Sequence, residues 1–197
     1  MAEVKDGDLE SHQHGITLAP MHNGANRADS YRYDALRQAI FQAGQPLVTP
    51  RCRIVDLHCG RGDFVEPFIE RNEDLCRFIM LDSSPGNVQA CMERFHMRMH
   101  LGFVRPGKLD LSQGFPQVSS RITLCIGGLD SLSRERRDEV LVEVRRHLER
   151  GGAFIIAEEV TDEKDCASWL SSLTEAGFER VERIWSSGRI CAWMAWK

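Results

Sequence analysis

Arg53-Ile54-Val55-Asp56-Leu57-His58-Cys59-Gly60-Arg61-Gly62-Asp63 is the stretch that decides the fold. Ile54, Val55 and Leu57 make a short apolar run of strand length, bounded by charged residues. Gly60 and Gly62 then permit a tight turn and close approach of the backbone to a ligand. A helical pattern follows over residues 63–71. A strand, a glycine turn and a helix in that order are the opening of a βαβ unit, which implies a parallel sheet. In such a sheet, ligands bind beyond the carboxyl ends of the strands. The spacing is neither the G-x-G-x-x-G of nicotinamide enzymes nor a phosphate loop with Gly-Lys-Ser. Asp56 at the strand end would repel a pyrophosphate, but it can hold an ammonium group. The same residues would equally serve a plain strand-to-helix turn.

Outward from this turn, apolar runs at 78–81, 101–104, 121–126 and 153–157 read as further strands. Helical patterns at 85–97, 134–150 and 165–176 lie between and after them. Pro85 suits a first helical position. Ser133 caps the second of these helices and Gly151 closes it, while Gly177 ends the third. Upstream, residues 33–41 form an amphipathic helix with Tyr33, Leu36 and Ile40 on one face and Gly44 at its end. Downstream, 178–185 and 189–196 are extended segments joined by Ser186-Ser187-Gly188, which reads as a β-hairpin. The expected fold is α/β and Rossmann-like. Its sheet is mostly parallel, helices cover both faces, and a C-terminal antiparallel hairpin completes it. Residues 1–30, rich in Gly, His, Asn and Asp and without periodicity, are expected to be a flexible tail. Residues 31–197 then form a single domain.

The chain of 197 residues carries 25 Lys and Arg against 29 Asp and Glu, a formal charge of -4, which disfavours a protein that coats nucleic acid. Basic residues of 134–150 alternate with Glu135, Asp138, Glu139, Glu143 and Glu149, the pattern of a solvated, salt-bridged helix. No apolar run is long enough to span a bilayer, and the polar, acidic N-terminus does not read as a secretory signal. The seven cysteines form no C-x-x-C pair, which favours reduced thiols and a cytoplasmic setting. His12, His14 and His22 lack a completing Cys or carboxylate pair, so no metal site is expected.

Two further strand ends carry acids. Asp82-Ser83-Ser84 follows the second strand, and a carboxylate there can accept both hydrogen bonds of a ribose diol. Leu109-Asp110-Leu111 follows the third, where a carboxylate can accept from an adenine amino group. The alternative roles are a helix cap and a loop aspartate.

The order and spacing of these sites over residues 31–197 resemble class I S-adenosylmethionine-dependent methyltransferases. That family's first motif reads D-x-G-x-G-x-G; here it is D-L-H-C-G-R-G, with His58 in place of the first glycine. The terminal hairpin is also shared. A closer similarity lies in Tyr33-Asp34-Ala35-Leu36, in residues 151–159 and in the ending Ala192-Trp193-Met194-Ala195-Trp196-Lys197. These look like carboxy-S-adenosylmethionine synthase and its bacterial and phage relatives. The resemblance implies S-adenosyl-L-methionine as cofactor and a lid helix at 31–44 bearing Tyr33. It implies a cofactor turn of Asp56, His58, Cys59, Gly60 and Gly62, a ribose site at Asp82 and Ser83, and an adenine site at Asp110 and Leu111. Cys125 stands where the synthase has Asn after strand four.

Two departures stand out. The synthase carries a long helical insertion after strand five with an Arg that pairs with the cofactor's extra carboxylate. Here only Val160-Thr161-Asp162-Glu163-Lys164 joins strand five to the next helix. The family's Glu-Lys at that strand end is Glu158-Glu159. A second carboxylate disfavours an anionic ligand nearby. The expected activity is therefore in-line methyl transfer to a small-molecule acceptor. The alternatives are a synthase-like enzyme and a non-catalytic cofactor-binding scaffold. Gly127-Gly128 would let an acceptor approach, and Asp130 and Glu158 are the candidate catalytic acids. The expected partners are a small-molecule substrate and, at most, a second copy of the chain as a homodimer, with no membrane; nucleic acid is disfavoured but left open by the basic cluster Arg94, His96, Arg98 and His100, which could meet an anionic substrate such as RNA.

Overall fold

The computed structural model describes residues 27–197, with side chains from Tyr31 onward. The chain runs α1 (Arg27–Gly44), β1 (Arg53–Asp56), α2 (Glu66–Asn72), β2 (Arg77–Asp82), α3 (Pro85–Arg94), α4 (His96–His100), β3 (Val104–Lys108), β4 (Ser120–Ile126), α5 (Arg134–His147), β5 (Leu148–Glu159), α6 (Glu163–Glu175), β6 (Arg180–Ser187) and β7 (Ile190–Trp196). The strands form one seven-stranded sheet in the order β3-β2-β1-β4-β5-β7-β6. The first five strands are mutually parallel, and β7 lies antiparallel between β5 and β6. The expected α/β class, the parallel strands and the closing hairpin are thus present.

Alternate side chains of each strand feed two cores. Ile54, Met80, Leu124 and Ile155 face α1, α2 and α3, where Leu36, Ile40, Phe68 and Phe95 meet them. Val55, Leu81, Cys125 and Ile156 face α5 and α6, where Val140, Val144, Trp169 and Leu173 meet them. Burial on both faces explains why these strands read as continuous apolar runs. Strand order reverses direction between β1 and β4, so the carboxyl ends of these two strands border the crevice where such sheets bind ligands.

Several boundaries differ from the sequence expectation. Helix α1 begins at Arg27, so residues 27–30 are not tail; the flexible tail expected for the preceding residues, with His12, His14 and His22, lies outside the described residues. The helix after the glycine turn starts at Glu66 and not near Asp63. The helix from Pro85 breaks at Phe95, whose buried ring lies 2.6 Å from where a Cβ on Gly62 would sit. The third strand is Val104–Lys108, not 101–104. Leu101 is exposed and Gly102 turns the chain at φ 75°. Pro106 is tolerated because β3 is an edge strand. The fifth helix ends at His147, and Leu148 already pairs with Ser120. Gly151 therefore sits in an irregular stretch of β5, at φ 70°, instead of closing a helix. Among the described residues no helix is long and apolar enough to cross a membrane.

Candidate functional site

The turn after β1 is built on backbone bonds. Cys59 N–H donates to the Leu81 carbonyl at 2.9 Å, and Gly62 N–H donates to the Cys59 carbonyl at 2.8 Å. Gly60 and Gly62 both adopt positive φ, 53° and 88°, where a side chain would be strained. Their surroundings differ. A Cβ on Gly62 would strike Phe95 and Met80, whereas a Cβ on Gly60 would meet nothing within 4 Å. Gly62 is therefore packed and inaccessible to a ligand by its side-chain face. Gly60 presents an open backbone face.

Gly60 N–H donates to Oδ2 of Asp82 at 2.9 Å. The other oxygen of Asp82 accepts from Ser84 N at 2.8 Å and from Asn87 Nδ2 at 3.0 Å. Three donors thus fix a carboxylate that is 1% exposed. Sequence reading missed Asn87, although its place in the first turn of α3, five residues past Asp82, was a usable signal. Ser83 lies exposed beside this knot. Asp56 is equally buried, and His58 N–H donates to its Oδ1 at 3.3 Å. Burial, aided by the nearby Asp82, pushes the Asp56 carboxyl up to about 7, against the opposing pull of the His58 N–H.

His58 sits between the β1 and β4 loops. Its Nδ1 is 2.9 Å from the Ile126 carbonyl, and a Cβ on Gly128 would lie 2.7 Å from its own Cβ. A carbonyl only accepts, so Nδ1 is the donor in this contact, and Nε2 is the acceptor nitrogen whenever the ring is neutral. The Cys59 thiol turns inward, 3.8 Å from Cys91 Sγ, so only its backbone lines the turn. Cys125 is a correction. It lies within β4, not after it, and its thiol is fully buried. Burial raises that thiol well above the ordinary range, and the side chain offers nothing to a ligand in the crevice.

Tyr33 ties α1 to this turn. Its hydroxyl donates to Asp63 Oδ2 at 3.3 Å, and its ring centroid lies 4.9 Å from that of Phe64. Burial, then Asp63, raises its phenol well above the usual value. Asp63 is also held by Arg94. Asp110 forms a turn of its own. One of its oxygens accepts from Ser112 N at 2.9 Å and Ser112 Oγ at 2.6 Å, which holds its carboxyl below the usual range and leaves the other oxygen as an acceptor. Leu111 is buried, and its carbonyl accepts from Arg136 Nε at 2.7 Å.

The acids expected to be catalytic differ in exposure. Glu158 does not face the crevice: it is 0% exposed, and its Oε1 accepts from Leu129 N–H at 2.9 Å. Burial first, and the adjacent Asp130 second, raise its carboxyl well above the usual range. It holds the β4 loop from beneath. Asp130 is exposed on that loop, its own carboxyl raised mainly by partial burial. The structure thus gathers Asp56, His58, Gly60 and Asp82 in one place and Asp130 with Glu158 in another, with Asp110 beyond the end of β3.

A family described as a methyltransferase domain matches residues 54–152 of the chain. The carboxy-S-adenosyl-L-methionine synthase of Stutzerimonas stutzeri (strain A1501) is 29% identical over 154 residues, covering 76% of this chain and 62% of that protein. The chain therefore spans about three fifths of that relative's length. Human N-acetylserotonin methyltransferase, solved in complex with SAM, superposes with a TM-score of 0.67 at 15% identity, covering 86% of this chain and 54% of that one. The cyclase SpnF superposes with a TM-score of 0.63 at 19% identity, covering 77% and 60%.

Proposed function

The chain belongs to the methyltransferase domain family and has the class I S-adenosylmethionine-dependent methyltransferase fold, and from that premise we propose that it binds S-adenosyl-L-methionine at the Gly60 turn and passes its methyl group to a small-molecule acceptor. One observation carries the reading: the open backbone face of Gly60, braced by Asp82 and flanked by the buried Asp56. An open glycine face beside two carboxylates suits a cationic ligand with a ribose diol, and it does not suit a pyrophosphate. Ser83 and the free oxygen of Asp110 extend the same row of polar groups.

Bound there, S-adenosyl-L-methionine supplies a methyl on a sulfonium, already activated for in-line displacement. The chain's own contribution is then alignment and exclusion of water. Asp56 balances positive charge, Asp82 orients the turn, and Tyr33 with α1 covers it. Asp130 and the Nε2 of His58 border the β4 loop where an acceptor would approach. Either can take a proton from an acceptor that must lose one, a contribution of about 10²–10⁴-fold.

Titration calorimetry with S-adenosyl-L-methionine and with S-adenosylhomocysteine tests the reading. Saturable binding that Gly60→Val abolishes supports it, and no binding of either compound overturns it. A synthase-like activity is favoured by the 29% identity but opposed by the Glu158-Glu159 pair at the end of β5. A carboxylated cofactor released from the purified protein and weighed by mass spectrometry would select that alternative. The cyclase among the structural neighbours illustrates that this fold alone does not assign methyl transfer.

A further inference from the structure

All seven cysteines carry free, buried thiols. Two of them, Cys166 in the first turns of α6 and Cys191 in β7, bring their sulfurs to 3.0 Å. A third group joins them. Arg183, on the neighbouring strand β6, lies near enough to the pair to act on both sulfurs electrostatically, while Glu163 holds its guanidinium at 3.4 Å. A cation beside a thiol favours the thiolate, which is the nucleophilic form. The side chains of Arg183 and Glu163 are 46% and 86% exposed, so exposed charged groups lie between the pair and solvent.

We propose that Cys166 and Cys191 are a dithiol modification site that a peroxide converts to a disulfide. Cys166 is the attacking sulfur, since it is the more exposed of the two, 8% against 3%. Burial and the adjacent Cys166 push the Cys191 thiol up to about 12, so it keeps its proton until the second step. In the first step the Cys166 thiolate attacks one peroxide oxygen. The O–O bond breaks, the departing hydroxide takes up a proton as water, and Cys166 becomes a sulfenic acid. In the second step Cys191 sulfur attacks that sulfur. The S–O bond breaks and the hydroxyl leaves as water with the Cys191 proton. Two thiols are oxidised by two electrons, and one peroxide is reduced to two waters.

Cys59 and Cys91 provide the comparison. Their sulfurs lie 3.8 Å apart, but the Cys91 thiol donates to the Gly60 carbonyl at 3.3 Å. Asp56 and Asp82 stand near them in place of an arginine, and the Cys59 thiol is raised, first by its contact with Cys91 and by burial and then by Asp56. The 166–191 bridge would fasten α6 to β7. Cys191 is the cross-strand partner of Glu158, so the bridge would stiffen the short connection between β5 and α6.

The full chain is treated with hydrogen peroxide, denatured with an alkylating agent and mapped without reductant. The expected map contains a linked peptide pair holding residues 166 and 191, with Cys59 and Cys91 still alkylated at the same peroxide dose. The oxidised protein melts at a higher temperature, because a closed loop restricts the unfolded chain, and reductant reverses the shift. Arg183→Met slows the linkage roughly tenfold by removing the cation, and Cys191→Ser leaves Cys166 trappable as a sulfenic acid by dimedone. Cys166 and Cys191 both recovered alkylated, or oxidised separately to sulfinic acids, or linked only after unfolding, would overturn the proposal.

Discussion

Gly60 and Asp82, 22 residues apart, are joined by a 2.9 Å hydrogen bond from the glycine N–H to the carboxylate. That bond fixes the glycine turn of one strand to the end of the next, so the two halves of a ligand site cannot drift apart. Asp82→Ala removes the acceptor for Gly60, Ser84 and Asn87 together. Cofactor affinity should fall by about 1–3 kcal/mol, or about 5- to 150-fold. Asp82→Asn keeps the shape but loses charge and should fall less. Calorimetry on both variants checks the order, and an Ala variant that binds normally would remove Asp82 from the site.

The Asp56 carboxyl, raised by burial to about 7 from an ordinary value of 3.8, gives the site a pH dependence. Its sign follows from linkage. Between those two values the folded chain holds a proton that the unfolded chain has lost. This stabilisation is present below the unfolded value and is lost as pH rises through the folded one. A cationic ligand prefers ionised Asp56, so its binding should strengthen over the same interval and release a proton. From pH 6 to pH 8 the ionised fraction rises roughly tenfold, and affinity should follow. Calorimetry in two buffers of different ionisation heat counts the proton. Asp56→Asn should flatten both the affinity profile and the stability profile.

The sheet was legible because its strands are buried on both faces and so read as unbroken apolar runs, Ile54-Val55 and Ala153-Phe154-Ile155-Ile156-Ala157 among them. The boundaries that went astray were set by tertiary contact. Pro106 sits in β3 because an edge strand leaves its missing N–H facing outward. Leu148 leaves the helical pattern because Ser120 pairs with it. At the site, Asp56, Gly60 and Asp82 were legible from their spacing after strands one and two. The inward direction of the Cys59 thiol was not, because the conformation of the turn sets it. Nor was that of the Cys125 thiol, because an odd or even position along a strand decides it and a boundary error of one residue inverts the answer. Glu158 misled for the same reason. It belongs to the face of β5 packed against α5 and α6.

Asp130 stands exposed on the β4 loop, and none of the hydrogen bonds that brace the Gly60 turn runs to it. Asp130→Asn should therefore leave S-adenosyl-L-methionine affinity within about twofold while lowering turnover of an acceptor that must lose a proton, by about 10²–10⁴-fold. An acceptor that reacts as a neutral nucleophile would show no such loss. The ratio of the two effects, measured with tritiated cofactor and calorimetry on the same preparation, separates a proton-accepting role from a binding one.

Glu158 holds Leu129 N–H through Oε1, and its buried carboxyl is raised well above the ordinary range. A carboxyl kept neutral by its surroundings is closely imitated by an amide. Glu158→Gln should thus preserve the acceptor for Leu129 and change stability by less than about 1 kcal/mol. Glu158→Ala leaves a buried N–H without a partner and opens a void, and should cost about 2–4 kcal/mol. Urea unfolding of the two variants makes the comparison. If Gln costs as much as Ala, the side chain is ionised in the folded protein and serves as a buried charge beneath the β4 loop.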